Sequence, residues 1–126
     1  MSKIVFITGA SSGIGKSIAL YLHDKGYVVY GTSRNPDKID VPFSMVALDV
    51  TKEETIQKAI TEVVEKEGRI DVLINNAGKG ITGPIEDTPT DEMRENFNTN
   101  FFGVIDVVKA VLPQMRVQKS GLIINT

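Results

Sequence analysis

Short apolar runs alternate with amphipathic stretches along this chain, and the alternation continues to its last residue. Ile4 to Thr8 reads as a first strand, and Ile14 to Lys25 as a helix closed by Gly26 at its C′ position. Tyr27 to Thr32, rich in β-branched and aromatic residues, reads as a second strand. Ser33 to Ser44 carries two prolines and several polar residues and reads as a loop, and Met45 to Leu48 as a short third strand. Thr51 and Glu54 fit a capping box ahead of a helix whose apolar face is Ile56, Ala59, Ile60, Val63 and Val64, with Gly68 at its end. Ile70 to Ile74 is a fourth strand, mostly apolar, as a strand covered on both faces should be. A glycine-rich loop from Asn75 to Pro89 leads into a long helical pattern from about Thr90. There Met93, Phe97, Phe101, Val104, Val108, Val111 and Met115 recur on one side. Pro113 lies inside that pattern and is expected to bend or end the helix. Gly121 to Asn125 reads as a fifth strand.

Strands alternating with helices predict an α/β fold, a Rossmann-like doubly wound parallel sheet with helices on both faces. Right-handed crossovers point to the strand order 3-2-1-4-5, with a ligand crevice between strands 1 and 4, where the winding reverses. Residues 1–126 are expected to form a single domain.

Composition narrows the classes of function. The chain is 41% apolar and 24% charged with a net charge of -2, which gives no electrostatic footprint for nucleic acid. It has no cysteine and therefore no disulfide framework. No apolar run approaches the roughly 20 residues of a membrane span. No signal segment precedes the first strand, so a cytoplasmic location is the expectation. No His, Asp or Glu cluster has metal-ligand spacing, and the one histidine, His23, reads as a surface residue of the first helix.

The candidate chemistry begins at Thr8-Gly9-Ala10-Ser11-Ser12-Gly13-Ile14-Gly15, set between a strand and a helix. Glycines there allow a tight turn and close approach of a pyrophosphate, and the free N–H groups of a helix start attract negative charge. A plain tight turn is the competing reading. The spacing G-x-x-x-G-x-G differs from the commoner dinucleotide fingerprint. Arg34 follows the second strand, where no Asp or Glu stands to bond a ribose 2′-hydroxyl. An arginine there can pair with a 2′-phosphate, with Thr32 and Ser33 as further hydroxyl donors, or be a solvated loop residue. Asp49 and Val50 end the third strand, and Asn75-Asn76-Ala77-Gly78 follows the fourth, where asparagines also lock turns. Asn100 sits inside the long helix between Thr99 and Phe101, an odd place for an asparagine on packing grounds. A helix distortion with a buried water would explain it too.

The glycine-rich loop preceded by Thr8, together with N-N-A-G at Asn75 to Gly78, resembles the short-chain dehydrogenase/reductase family over the whole chain. The resemblance implies cofactor contacts from Gly9, Ser11, Ser12, Gly13, Ile14 and Gly15. It implies the same of Asp49 and Val50 beside the adenine, and of Asn76, Ala77 and Gly78 at the ribose. With Arg34 it favours NADP(H) over NAD(H) and hydride transfer between NADP(H) and a small-molecule alcohol or carbonyl substrate. It gives Asn100 a supporting place in a proton relay that ends at a catalytic lysine.

The family's serine and Tyr-x-x-x-Lys lie after the fifth strand, and none of the three is in its expected place. Tyr21 to Lys25 matches the spelling but lies on the first helix. At about 1.5 Å per residue Tyr21 is roughly 9 Å down the axis from Gly15 and cannot face a nicotinamide. This chain is therefore expected to retain the cofactor half and to be inactive alone. It is also expected to form a homo-oligomer through the 90–118 helix, whose Phe and Val surface would lack a partner. The alternatives are a non-catalytic NADP-binding sensor or regulatory module, or a fragment without function. The loop from Lys79 to Pro89, with Ile81 and Ile85, suggests nothing sharper about the substrate than an apolar wall.

Overall fold

A computed structural model describes residues Ser2 to Thr126; Met1, where the expected domain begins, lies outside the described residues. Five strands, β1 (Ile4–Ile7), β2 (Val28–Ser33), β3 (Ser44–Ala47), β4 (Val72–Asn75) and β5 (Leu122–Asn125), form one sheet in the order β3-β2-β1-β4-β5. Every pairing is parallel, with Phe6 opposite Tyr30 and Leu73, and Ile74 opposite Ile124. The expected order and the Rossmann-like α/β fold are therefore found.

Side chains alternate across the strands, so β1 feeds two cores. On one face Val5 and Ile7 pack with Ala19 of helix α1 (Gly13–Asp24), Val29, Phe43 and Ile74. On the other, Ile4, Phe6 and Leu73 pack beneath α2 (Glu53–Glu67) and α4 (Gly103–Gln118) through Ile56, Val63, Val107 and Val111. Gly26 and Gly68 end α1 and α2 as expected. The Gly26 N–H bonds the His23 carbonyl at 3.0 Å and the Tyr27 N–H bonds Leu22 at 3.1 Å, the paired bonds of a Schellman cap.

Several local expectations are corrected. Thr51 and Glu54 form no capping box: α2 starts at Glu53 behind Lys52, without a side-chain cap. The Thr51 hydroxyl instead donates to Asp49 Oδ1 at 2.6 Å, a nearer and charged acceptor, while Thr55 Oγ1 accepts the Asp49 N–H. The loop before β3 contains a 3₁₀ turn at Pro36–Lys38, and Ser44 belongs to the strand. Residues 70 and 71 precede β4, whose strand runs on to Asn75.

The long helix is three pieces: α3 (Thr90–Phe97), a π-helical turn (Asn98–Phe102) and α4. Pro113 neither ends nor interrupts α4. Pro113 and Lys109, whose carbonyl loses the bond, are both exposed, so that carbonyl stays open to solvent. The predicted apolar stripe is also wrong in part. The buried residues are Gly103, Val107, Ala110, Val111 and Met115, whereas Phe97, Phe101 and Phe102 are exposed. A π turn advances less per residue than an α turn, so residues before and after it cease to share one face.

Asp71 anchors the amino end of the sheet by accepting the Ile4 N–H at 2.8 Å and Arg69 Nε at 2.8 Å. Burial pushes its carboxyl up, but the Arg69 and Ile4 bonds outweigh burial and hold it below the ordinary value. A group with a lowered folded pKa stabilises above its unfolded pKa of about 3.9 and loses that contribution as pH falls through the folded value. Urea midpoints taken down that acid range should therefore fall less steeply in Asp71→Asn than in the parent chain. Leu73→Ala, at a fully buried position, should cost about 2–5 kcal/mol with an unchanged urea slope.

Candidate functional site

The carboxyl ends of β1 and β4 meet where the winding reverses, and the loops that leave them are tied to each other. Thr8 Oγ1 accepts the backbone N–H groups of Asn76 and Ala77, both at 3.0 Å. Asn76 Nδ2 returns a bond to the Gly9 carbonyl at 3.1 Å. Gly9 has φ +70, and a Cβ there would stand 2.8 Å from Ala77 Cα, so only glycine fits. A Cβ on Gly15 would lie 2.1 Å from the Gly9 carbonyl oxygen and 2.3 Å from Asn76 Nδ2. The first turn of α1 can therefore slide under the loop. Ser12 is the N-cap residue of α1 and makes no side-chain cap bond. The orphan N–H groups of that first turn are thus left to a ligand or solvent.

Beside this junction opens a groove of about 710 Å³, among whose walls are Gly9, Ser11, Ser12, Arg34, Asp49 and Val50. Asn76, Ala77 and Gly78 line it as well. Nine of the expected cofactor residues thus converge from four separate stretches of chain. Gly13 and Ile14 are exposed on the first turn of α1 and are not among the groove walls, and Gly15 is buried below the loop. The Tyr21 to Lys25 stretch forms the carboxyl end and C-cap of α1, apart from the groove walls, with Lys25 Nζ over the Tyr21 ring at 5.3 Å.

Two side chains are less free than the sequence suggests. The Thr32 hydroxyl is 1% exposed and accepts the Gly9 N–H at 3.2 Å, so it braces the loop instead of facing a phosphate. Ser33 Oγ accepts the Asn35 N–H at 3.2 Å. Asp49 Oδ1 takes both the N–H and the hydroxyl of Thr51, and the Thr51 hydroxyl is the main reason its carboxyl lies below the ordinary value. Asp49 is thus a turn residue and a groove wall together.

Asn100 falls in the π turn, the kind of distortion that its sequence context suggested. Its side chain holds the Lys79 peptide from both sides, accepting the N–H at 2.9 Å and donating to the carbonyl at 2.6 Å. Asn96, one turn earlier, donates to the same carbonyl at 2.8 Å. Asn100 lines a second, smaller hollow with Asn75, Val104 and Thr126. In the sequence, Asn96 and Asn100 carried a readable signal, two amides four apart on one helical face. Thr8 carried none beyond its place before the first glycine. Among the described residues no group of three His, Asp or Glu could hold a metal ion, and no helix is long and apolar enough to cross a membrane.

The model of the family described as short chain dehydrogenase matches residues 3–126. A 3-ketodihydrosphingosine reductase from Bacteroides thetaiotaomicron is 47% identical over 123 residues, which cover 98% of this chain and 46% of the relative. Human retinol dehydrogenase 8 is 37% identical over 136 residues, covering 97% of this chain and 43% of that one. Among solved structures, a short-chain dehydrogenase from Streptomyces avermitilis superposes with a TM-score of 0.93 at 37% identity, over 99% of this chain and 48% of the other. ElxO with NADP bound gives a TM-score of 0.88 at 37% identity, over 99% and 55%. This chain therefore spans about half the length of the relatives that it matches.

The two N–H groups on Thr8 Oγ1 make the site testable without any ligand. Thr8→Val keeps the shape but strands both donors, at about 1–3 kcal/mol for each unpaired group. Amide exchange at Asn76 and Ala77 should accelerate sharply in the variant, while the amides of α2 should change only by the global loss of stability.

Proposed function

We propose that this chain, which belongs to the short-chain dehydrogenase family, supplies the cofactor half of an NADP(H)-dependent oxidoreductase. In this reading residues 1–126 are one dinucleotide-binding domain, and the whole protein moves a hydride between NADP(H) and an alcohol or carbonyl compound. The observation that carries the reading is the groove at the β1–β4 junction, with the uncapped start of α1 at one wall and Arg34 at another. The residues present fit the group: Gly9 and Gly15 let the loop close tightly on the end of β4 with α1 starting beneath it, and the free helix N–H groups suit a diphosphate. NADP(H) would supply the hydride. The chain's own part is to bind and orient it.

Ser11, Ser12 and the first turn at Gly13 to Gly15 would serve the diphosphate, and Asp49 and Val50 the adenine. Asn76, Ala77 and Gly78 would serve the adenosine ribose. Arg34, at the groove wall, would hold a 2′-phosphate, and this supports NADP(H) over NAD(H). Asn100 would support a proton relay, consistent with its fixed amide and its place beside the smaller hollow. The relatives named for 3-ketodihydrosphingosine and retinol support a substrate whose reacting group sits on an apolar body. The exposed Ile81 and Ile85 on the loop after β4 agree with that.

We also propose that the 126-residue chain alone does not turn over, because its Tyr21 to Lys25 pair lies away from the groove. A homo-oligomer formed through residues 90–118 is supported by the exposed Phe97, Phe101 and Phe102. A cytoplasmic site of action belongs to the same proposal.

Fluorescence titration with NADPH and NADH tests the cofactor reading. NADPH should bind saturably and more tightly than NADH. Arg34→Ala should weaken NADPH by about tenfold or more, the size of one hydrogen bond to a charged group, and leave NADH unchanged. Equal affinity of the parent chain for both cofactors would overturn the NADP preference.

A further inference from the structure

The charges around the groove are few, and one pair of them has no part in the reading above. The walls carry two cations, Arg34 and Lys79, and two anions, Asp49 and Glu95. Asp49 Oδ1 is engaged by Thr51, and Arg34 stands past the end of β2. The stretch Thr8 to Gly15, against which a diphosphate would lie, has no charged side chain, and Lys16, the next cation along the chain, is not among the groove walls. The start of α1 offers only about half a positive charge to a group that carries two negative ones.

Lys79 is placed to make up the difference. It follows Ala77 by two residues, and Ala77 Cα is 2.8 Å from where a Cβ on Gly9 would stand. Its backbone is fixed on both sides by Asn100 and again by Asn96, so its side chain springs from a rigid point on the groove wall. The ammonium lies 3.5 Å from the Glu95 carboxylate, with the side chains 51% and 73% exposed. An ion pair so open to water contributes little, and exchanging its partner costs little.

We propose that Lys79 is an additional anion-binding residue of the groove, which leaves Glu95 to pair with the diphosphate of a bound dinucleotide. Glu95 is then the resident counter-charge that competes with the ligand for the ammonium. The inference rests on the reading that the groove takes a dinucleotide. Because the diphosphate is common to both cofactors, the role of Lys79 is blind to the 2′-phosphate, whereas that of Arg34 is not.

The experiment is a fluorescence titration of this chain with NADPH and with NADH at several ionic strengths, alongside Lys79→Met, Lys79→Arg and Glu95→Gln. Lys79→Met should weaken both cofactors by about fivefold, the upper range of a solvent-screened charge contact, and flatten the dependence on salt. Lys79→Arg should keep the parent affinity, and Glu95→Gln should tighten both cofactors. Thermal melting of each variant separates lost binding from lost fold, and Glu95→Gln carries the test should Lys79→Met fail to fold. Three results would overturn the proposal and leave the cofactor reading standing. They are unchanged binding in Lys79→Met, a loss confined to NADPH, and weaker binding in Glu95→Gln. Absence of saturable binding of either cofactor by the parent chain would overturn the cofactor reading and the proposal together.

Discussion

The hydroxyl of Thr8 accepts two backbone N–H groups from the loop that follows β4, and most of the carboxyl edge is arranged by that bond pair. It holds the ends of two neighbouring parallel strands, 68 and 69 residues apart in the chain, at one fixed separation. With that separation set, Asn76 can reach the Gly9 carbonyl, Gly9 can lie against Ala77, and α1 can start directly beneath the loop. A side chain on Gly9 or Gly15 would break the same arrangement from the opposite direction, by filling the space that the bonds close. The groove is the hollow left on the outside of this stitched junction.

The second constraint is the join between the loop after β4 and the helix that follows. Asn96 and Asn100 hold the Lys79 peptide by three bonds, from a helix whose π turn separates α3 from α4. The same turn has an energetic cost in packing. It directs Val107 and Val111 into the core and leaves Phe97, Phe101 and Phe102 outside it, with the last two rings edge to face at 5.1 Å. On the sheet, Leu122 and Ile124 of β5 lie on the face covered elsewhere by α1 and are likewise exposed.

Much of this was legible residue by residue. The strand runs were readable from their apolar content, and the winding from the strict alternation of strands and helices, because both signals are local and handedness prunes the rest. The glycine loop and N-N-A-G could be placed on the groove because a motif at the end of a parallel strand has only one edge to occupy. The illegible parts are those in which a polar side chain has more than one partner open to it and the fold selects one. Thr51 looked like a helix cap and instead serves Asp49. Thr32 looked free for a phosphate and instead braces Gly9. The partners of Lys79, Asn96 and Thr8 lie 17 to 69 residues away in the chain, beyond the reach of helix or strand periodicity.

The sequence by itself determined the elements, their order in the sheet and the edge on which a ligand would bind, because periodicity, turn chemistry and crossover handedness are properties of neighbouring residues. Only the tertiary structure decided which polar groups are consumed inside the fold and which remain for a ligand, and which side of the last long helix is buried. Hydrogen-bonding capacity is finite: a hydroxyl or carboxylate oxygen whose lone pairs are taken up inside the fold has little left to offer a ligand. Which partner comes close is fixed by the packing of strands that lie far apart in the chain.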